Sequence, residues 1–336
     1  MLCDIVGKKS LFIGIGGGGD VATAAILAKA LERSGGKAFI GSIVWERYVV
    51  DPIPGPIAID ELRNVRLIKK CIAIVTPDSY AIRGGRKIIP QPANVAKALN
   101  TEVIVLDLRC GARKLAEELE SVCAELGVES VVGVDVGGDV LARGDEDNLW
   151  SPLADSIGLA MLALMRNVKP ILAVASPGAD GELDQLYVLK RVCEIASRGG
   201  LLGAYGYSLK DIETLRKVLQ YAITEASQIP IKVFMGECCF ETIRSGVRMV
   251  RITPVNIVVY FLDPRITIVD TLAQHVVEAE SLDEANSILN SRCIYTELDL
   301  ERDLYDALLK GLNITTDEVL EIRRRGVERI KSVCRK

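Results

Sequence analysis

Short apolar runs recur along this chain, and amphipathic segments separate them. The runs are Leu11–Ile15, Ala38–Val44, Cys71–Val75, Glu102–Leu106, Ser130–Asp135, Pro170–Ala175 and Leu201–Ala204. Helical patterns lie between several of them, at Asp20–Arg33, Gln91–Leu99, Ala112–Leu126, Ser151–Met165, Leu183–Ser197 and Ser208–Ala226. A strand that is polar on one face alternates apolar and polar residues; one that is apolar throughout must be covered on both faces. The alternation therefore predicts an α/β fold, a doubly wound and mainly parallel Rossmann-like sheet with right-handed crossovers. The punctuation agrees: Gly35-Gly36, Gly127 and Gly199-Gly200 stand where helices should stop, and Val50–Pro56 is too proline-rich for regular structure.

The texture changes near residue 236. Val247–Thr253 and Ile257–Leu262 are expected as strands, and helices are expected at Leu272–Glu280, Leu282–Asn290, Leu300–Leu309 and Thr315–Lys336. The expected organisation is a core of residues 1–235. Residues 236–336 then form a C-terminal α+β extension of the same domain, or a small second lobe.

The bulk properties exclude several classes. With 336 residues, 49% of them hydrophobic, there is ample material for a core. A net charge of −4 gives no electrostatic footprint for nucleic acid or an anionic membrane as partner. Mean hydropathy is only +0.25, and no apolar run reaches membrane-spanning length. The start Met1-Leu2-Cys3-Asp4 is unlike a secretory leader, so a cytoplasmic location is expected, with a small molecule as partner and a homo-oligomer left open. The nine cysteines include no C-x-x-C pair, which argues against a zinc framework or a disulfide scaffold and for small buried side chains. The single histidine, His275, falls in an expected helix far along the chain from every glycine loop, so histidine-based catalysis has little support.

In a parallel α/β sheet, ligands bind beyond the carboxyl ends of the strands. The first strand runs into Gly14-Ile15-Gly16-Gly17-Gly18-Gly19-Asp20, a glycine turn opening a helix. Such a turn exposes backbone N–H groups and the positive end of the helix to an anion. Gly16, Gly17, Gly18 and Gly19 are thus the expected phosphate cradle. The turn matches G-x-G-x-x-G, but the acidic residue expected about twenty positions later is missing, since Glu46 comes too late. Asp20 would also repel a pyrophosphate, so NAD is not expected, whereas Mg²⁺ would reconcile carboxylate with phosphate. Asp20 can act as a helix cap or as a ligand to metal, hydroxyl or amine.

Other loops add chemistry at the same edge. Asp135-Val136-Gly137-Gly138-Asp139 sets two carboxylates around a diglycine, so that Asp135 and Asp139 can converge on a metal or on sugar hydroxyls. Ser176, Gly178 and Asp180 form a similar loop, with Ser176 suited to a phosphate or hydroxyl contact. Arg83 and Arg86, around Gly84-Gly85, can supply positive charge to a phosphate. Asp155 falls in the first turn of its helix, where capping is its ready role. Without a usable histidine, Asp135, Asp139 or Glu46 is the expected general base, its pKa raised by burial.

The segments GIGGGGDV (Gly14–Val21), DVGGDVLAR (Asp135–Arg143), SPLAD (Ser151–Asp155) and SPGADGEL (Ser176–Leu183) together resemble the archaeal domain-of-unknown-function family numbered 1152. That resemblance implies a single-chain Rossmann-like α/β protein and names no activity. The diglycine-acid motif is also similar to the glycine- and acid-rich loop of D-glutamate cyclases, over a stretch too short to carry residues across. The expected function is an enzyme for a phosphorylated or nucleotide-like metabolite, assisted by Mg²⁺. The alternatives are a non-catalytic ligand sensor and a lyase or cyclase acting on a small amino or hydroxy acid.

Overall fold

The computed structural model describes residues 2–48 and 50–334. Ten of its strands form one mixed sheet in the spatial order β3-β4-β6-β2-β1-β7-β8-β12-β9, with β5 paired to β4. The ranges are β1 Lys9–Gly14, β2 Lys37–Ile43, β3 Leu62–Lys69, β4 Ile72–Arg83, β5 Arg86–Ile88, β6 Val103–Leu106, β7 Ser130–Val136, β8 Lys169–Ala175 and β9 Leu201–Gly206. Strands β10 (Phe240–Ile243) and β11 (Arg248–Arg251) form a separate antiparallel hairpin, and β12 is Val258–Leu262. The centre of the sheet, β6-β2-β1-β7-β8, is parallel, as the apolar runs require. Leu11 and Ile13 of β1 enter the core on one face while Phe12 between them enters the core on the other.

Helices cover both faces. Helices α1 (Leu2–Val6), α2 (Asp20–Arg33) and α3 (Gln91–Leu99) come before α4 (Gly111–Leu126), α5 (Pro152–Leu164), α6 (Gln185–Ser197), α7 (Leu209–Val218) and α8 (Ile229–Phe234). The C-terminal helices are α9 (Pro264–Thr267), α10 (Leu282–Ser291), α11 (Glu297–Leu309) and α12 (Thr316–Cys334). Helices α2, α3 and α7 pack together on one face, and α4, α5 and α6 cover the other. Beyond the sheet, Tyr295, Leu300, Leu304 and Val319 join α11 to α12 in a small third core.

Two edges depart from the expected parallel sheet. Strand β3 is mostly solvent-exposed and so carries no apolar run, yet it pairs antiparallel with β4, a strand much longer than Cys71–Val75. At the other edge β12 lies between β8 and β9, antiparallel to both, so the segment after residue 236 contributes a strand to the main sheet. The helix expected at Leu272–Glu280 is only a 3₁₀ turn over Leu272–His275. Arg335 and Lys336, the expected end of the last helix, lie outside the described residues.

The cysteines also correct the expectation. Cys71, at the β3–β4 turn, is disulfide-bonded to Cys110 at the start of α4, with their Cα atoms 6.3 Å apart. Of the remainder, Cys123 is buried, Cys3, Cys293 and Cys334 are half-buried, and Cys193, Cys238 and Cys239 are exposed. Spacing carries no trace of this bridge, because pairing depends on two loops that only the folded sheet brings together.

Candidate functional site

Chain order reverses at the centre of the sheet: β1 is followed on one side by β2 and β6 and on the other by β7 and β8. Such a switch point opens a crevice between the loops leaving the two central strands, the usual ligand position in this architecture. Here the two loops are Gly16–Gly19 and Gly137-Gly138.

Asp20 is the first residue of α2, and its side chain folds back so that Oδ2 accepts from the Gly16 N–H at 2.8 Å. It meets Asp135, from the end of β7, and Asp155, from the first turn of α5; ligand oxygens of the three lie within 4.8 Å of one another. Gly16 makes this approach feasible. A Cβ there would stand 2.6 Å from an Asp20 oxygen and 2.8 Å from an Asp155 oxygen. Asp139, Asp180 and Glu182 form a second group with the same spacing. Gly137 permits that group, since its φ of +122° favours glycine and a side chain would fall on the Asp180 carboxylate.

Hydrogen bonding separates these carboxylates. Glu182 accepts from the Trp150 N–H (2.7 Å), the Ser151 N–H (3.0 Å) and the Ser151 hydroxyl, and pairs with Arg248 at 3.0 Å. Burial opposes its ionisation, but Arg248 and these donors together hold its carboxyl below the usual range. By contrast Asp135 Oδ2, Asp155 Oδ1 and both oxygens of Asp180 are buried without a hydrogen-bond partner. Burial, reinforced by neighbouring carboxylates, raises Asp135, Asp139 and Asp155 well above the ordinary value. Burial likewise pushes Asp20 up to about 7, against the Gly16 N–H and Arg47, and pushes Asp180 up to about 7, reinforced by Glu182.

Helix α5 explains why Asp155 is available. Its first N–H groups are taken by other carboxylates: Glu182 receives Trp150 and Ser151, and Glu297 of α11 receives Leu153 (3.0 Å) and Ala154 (2.9 Å). The capping expected of Asp155 is therefore done from elsewhere, and its side chain faces Asp20 and Asp135. The N-termini of α2 and α5 both point at this group, and their partial positive charges favour anionic oxygens there.

The structure places several expected site residues elsewhere. Arg83 does not reach the glycine turn. Its guanidinium is buried on Asp51 (2.7 Å) and the carbonyls of Gly55 (2.8 Å) and Pro54 (3.2 Å). Arg86 is exposed beyond a two-residue hairpin turn in which Gly84 and Gly85 both have positive φ, so the diglycine serves the β4–β5 turn. The cation beside the glycine turn is Arg47, which donates to the Gly16 carbonyl at 2.7 Å and lies 3.8 Å from Glu297.

Glu46 is buried and accepts from the Gln91 N–H at 2.7 Å, tying the loop after β2 to the start of α3; burial pushes its carboxyl up to about 7. Ser176 turns away, donating to the Asn256 carbonyl at 2.7 Å, and Gly178 donates its N–H to Gly137 at 2.7 Å, joining the two acidic loops. The glycine turn is itself partly filled. The Gly16 N–H is taken by Asp20 and the Gly18 N–H by the Trp45 carbonyl (3.0 Å), while Thr224 packs on Gly19 and Trp45 on Gly17. Arg47, Asp155, Glu182 and Arg248 are what sequence reasoning missed. Arg47 follows Glu46 in a loop already placed at the right edge, which was the available signal.

A protein family model described as "Protein of unknown function (DUF1152)" matches residues 11–305. The chain belongs to this family. The matched span carries β1 through most of α11, and with them every carboxylate of the DUF1152 site described above. No curated protein matches the chain, and no solved structure does. Among the described residues no helix is long and apolar enough to cross a membrane.

Proposed function

We propose that this DUF1152 protein is an enzyme that binds a phosphorylated or nucleotide-like small metabolite together with a divalent cation, Mg²⁺ being the natural choice. The observation that carries this reading is the set of buried carboxylate oxygens of Asp135 and Asp155 without hydrogen-bond partners, gathered with Asp20. Buried carboxylates without donors are costly unless they are protonated or share a cation. Mg²⁺ takes oxygen ligands, retains several waters and is commonly held by one or two carboxylates plus the phosphates of a substrate. Asp20, Asp135 and Asp155 supply the carboxylate side of such a site. Asp139 and Asp180, next to it, have raised carboxyls, and Asp180, pushed up to about 7, suits proton transfer near pH 7.

Titration calorimetry with MgCl₂ and MnCl₂ tests the reading. One strong cation site is expected, weakened at least tenfold in Asp135→Asn and Asp155→Asn variants that keep the wild-type circular dichroism spectrum. Absence of binding at millimolar cation, or equal affinity in the variants, overturns it.

A further inference from the structure

The acidic cluster has a cationic counterpart, built largely by the segment after residue 236. Arg248, on β11, lies over the Trp150 ring with its guanidinium 4.9 Å from the centroid, and its Nη1 donates to the Asp180 carbonyl at 3.2 Å. Arg323, on α12, lies over the same indole at 4.3 Å, anchored by a 2.7 Å hydrogen bond to the Leu149 carbonyl. Helix α12 is held close here because Gly326 leaves room for the Tyr295 ring. Arg244, in the β10–β11 turn beside Arg248, is exposed and lies 3.5 Å from Glu225. Arg47 comes from the loop after β2, already bound to the Gly16 carbonyl.

Arg47, Arg244 and Arg248 each have one carboxylate neighbour, Glu297, Glu225 and Glu182, and four guanidiniums thus share three such partners. Arg248 spends part of its guanidinium on Glu182 at 3.0 Å. Among the described residues no carboxylate lies within 4.0 Å of Arg323, and Arg47 Nη1 is buried without a hydrogen-bond partner. Burial, and the positive charge of Arg248 with it, lowers the Arg323 pKa below the ordinary arginine range, against Glu182. The acids that could neutralise these groups, Asp135, Asp155 and Asp180, keep unpartnered oxygens of their own. Unused guanidinium donors and unpartnered carboxylate oxygens thus remain side by side. A bound metal–phosphate unit presents the complementary pattern, a cation toward the carboxylates and an anion toward the guanidiniums.

We propose that Arg248 and Arg323, stacked on Trp150, together with Arg47 and with Arg244 of the adjoining hairpin turn, form the receptor for the phosphate group of the substrate. This rests on the cation-dependent reading above and specifies which end of the substrate faces which wall. Guanidiniums present several N–H donors in a planar fork that matches phosphate oxygens, and a phosphate near its dianionic state offsets more of this rim than one carboxylate would.

Inorganic phosphate and Mn²⁺ are the probes, each alone and then together, with succinate as a dicarboxylate control, on the full chain by calorimetry. Wild type is expected to bind phosphate more tightly than succinate. Arg244→Met and Arg323→Met are each expected to weaken phosphate at least tenfold while Mn²⁺ affinity stays within twofold. Arg244 is exposed, so its variant stays informative if Arg323→Met unfolds, which its melting temperature reports. Unchanged phosphate affinity in Arg244→Met, tighter binding of succinate, or no phosphate binding at millimolar concentration overturns the inference. Mn²⁺ binding without phosphate binding sinks the rim and leaves the cation site. Phosphate binding that needs both arginines, with no Mn²⁺ binding, sinks the cation site and leaves the rim.

Discussion

Asp20, Asp135 and Asp155 form one carboxylate group and Asp139, Asp180 and Glu182 the other; both are compact, yet Glu182 holds its charge differently from the aspartates. Glu182 accepts two backbone N–H groups, a hydroxyl and a guanidinium, and its carboxyl is held below the usual range. Asp135 and Asp155 lack such donors for one oxygen each, and both are raised. Burial is similar at Glu182, Asp135 and Asp155, so donors rather than depth decide the protonation state. Glu182 is a structural anchor that ties α5 to the hairpin, while Asp135, Asp155 and Asp180 have unmet demand for positive charge.

The largest effect that could break this contrast is on stability. Glu182→Gln is expected to cost about 3 kcal/mol in urea unfolding, because it leaves the Arg248 charge without its buried partner. In cation-free buffer Asp135→Asn is expected to change stability by less than about 1 kcal/mol, since it removes a charge the site disfavours. Equal losses in the two variants would erase the distinction.

A pH series sharpens it. Asp20 and Asp180 have carboxyls near 7 in the folded protein against an ordinary 3.8. The folded state therefore binds more protons than the unfolded chain between those values. The stability these groups contribute is fully present below about pH 4 and is lost as pH rises through 7. Without divalent cations the melting temperature should fall between pH 5 and pH 8, and 10 mM MgCl₂ should remove most of that fall. A rise over the same interval, or a fall that magnesium leaves intact, would contradict the assignment. The smallest effect is Ser151→Ala, which removes one of the donors to Glu182 and is expected to cost about 1 kcal/mol by thermal denaturation.

The parallel centre of the sheet was legible because β1, β7 and β8 are buried on both faces, which leaves an apolar run in the sequence. Strand β3 was not legible, because an exposed edge strand imposes no such pattern. The same logic applies to the site. Asp20, Asp135, Asp139 and Asp180 flank glycine turns at strand ends, where local spacing is informative. Asp155 was assigned a capping role because nothing local says that Glu297, far along the chain, takes the amides of α5. Arg83 and Arg86 are expected at the phosphate on the strength of the diglycine between them, which serves a hairpin. Both errors concern which partner satisfies a group, and that is settled by contacts between distant segments.

Strand β12 also dictates an order of assembly. β9 has no neighbour in the sheet except β12, which is made some fifty residues later. As the chain leaves the ribosome, β9 must wait with both edges bare until β12 is threaded between it and β8. The hairpin carrying Arg244 and Arg248 lies in the stretch made during that wait. A nascent chain stopped short of β12 thus already carries the hairpin arginines but has an unfinished sheet, and Arg323 of α12 has still to be made.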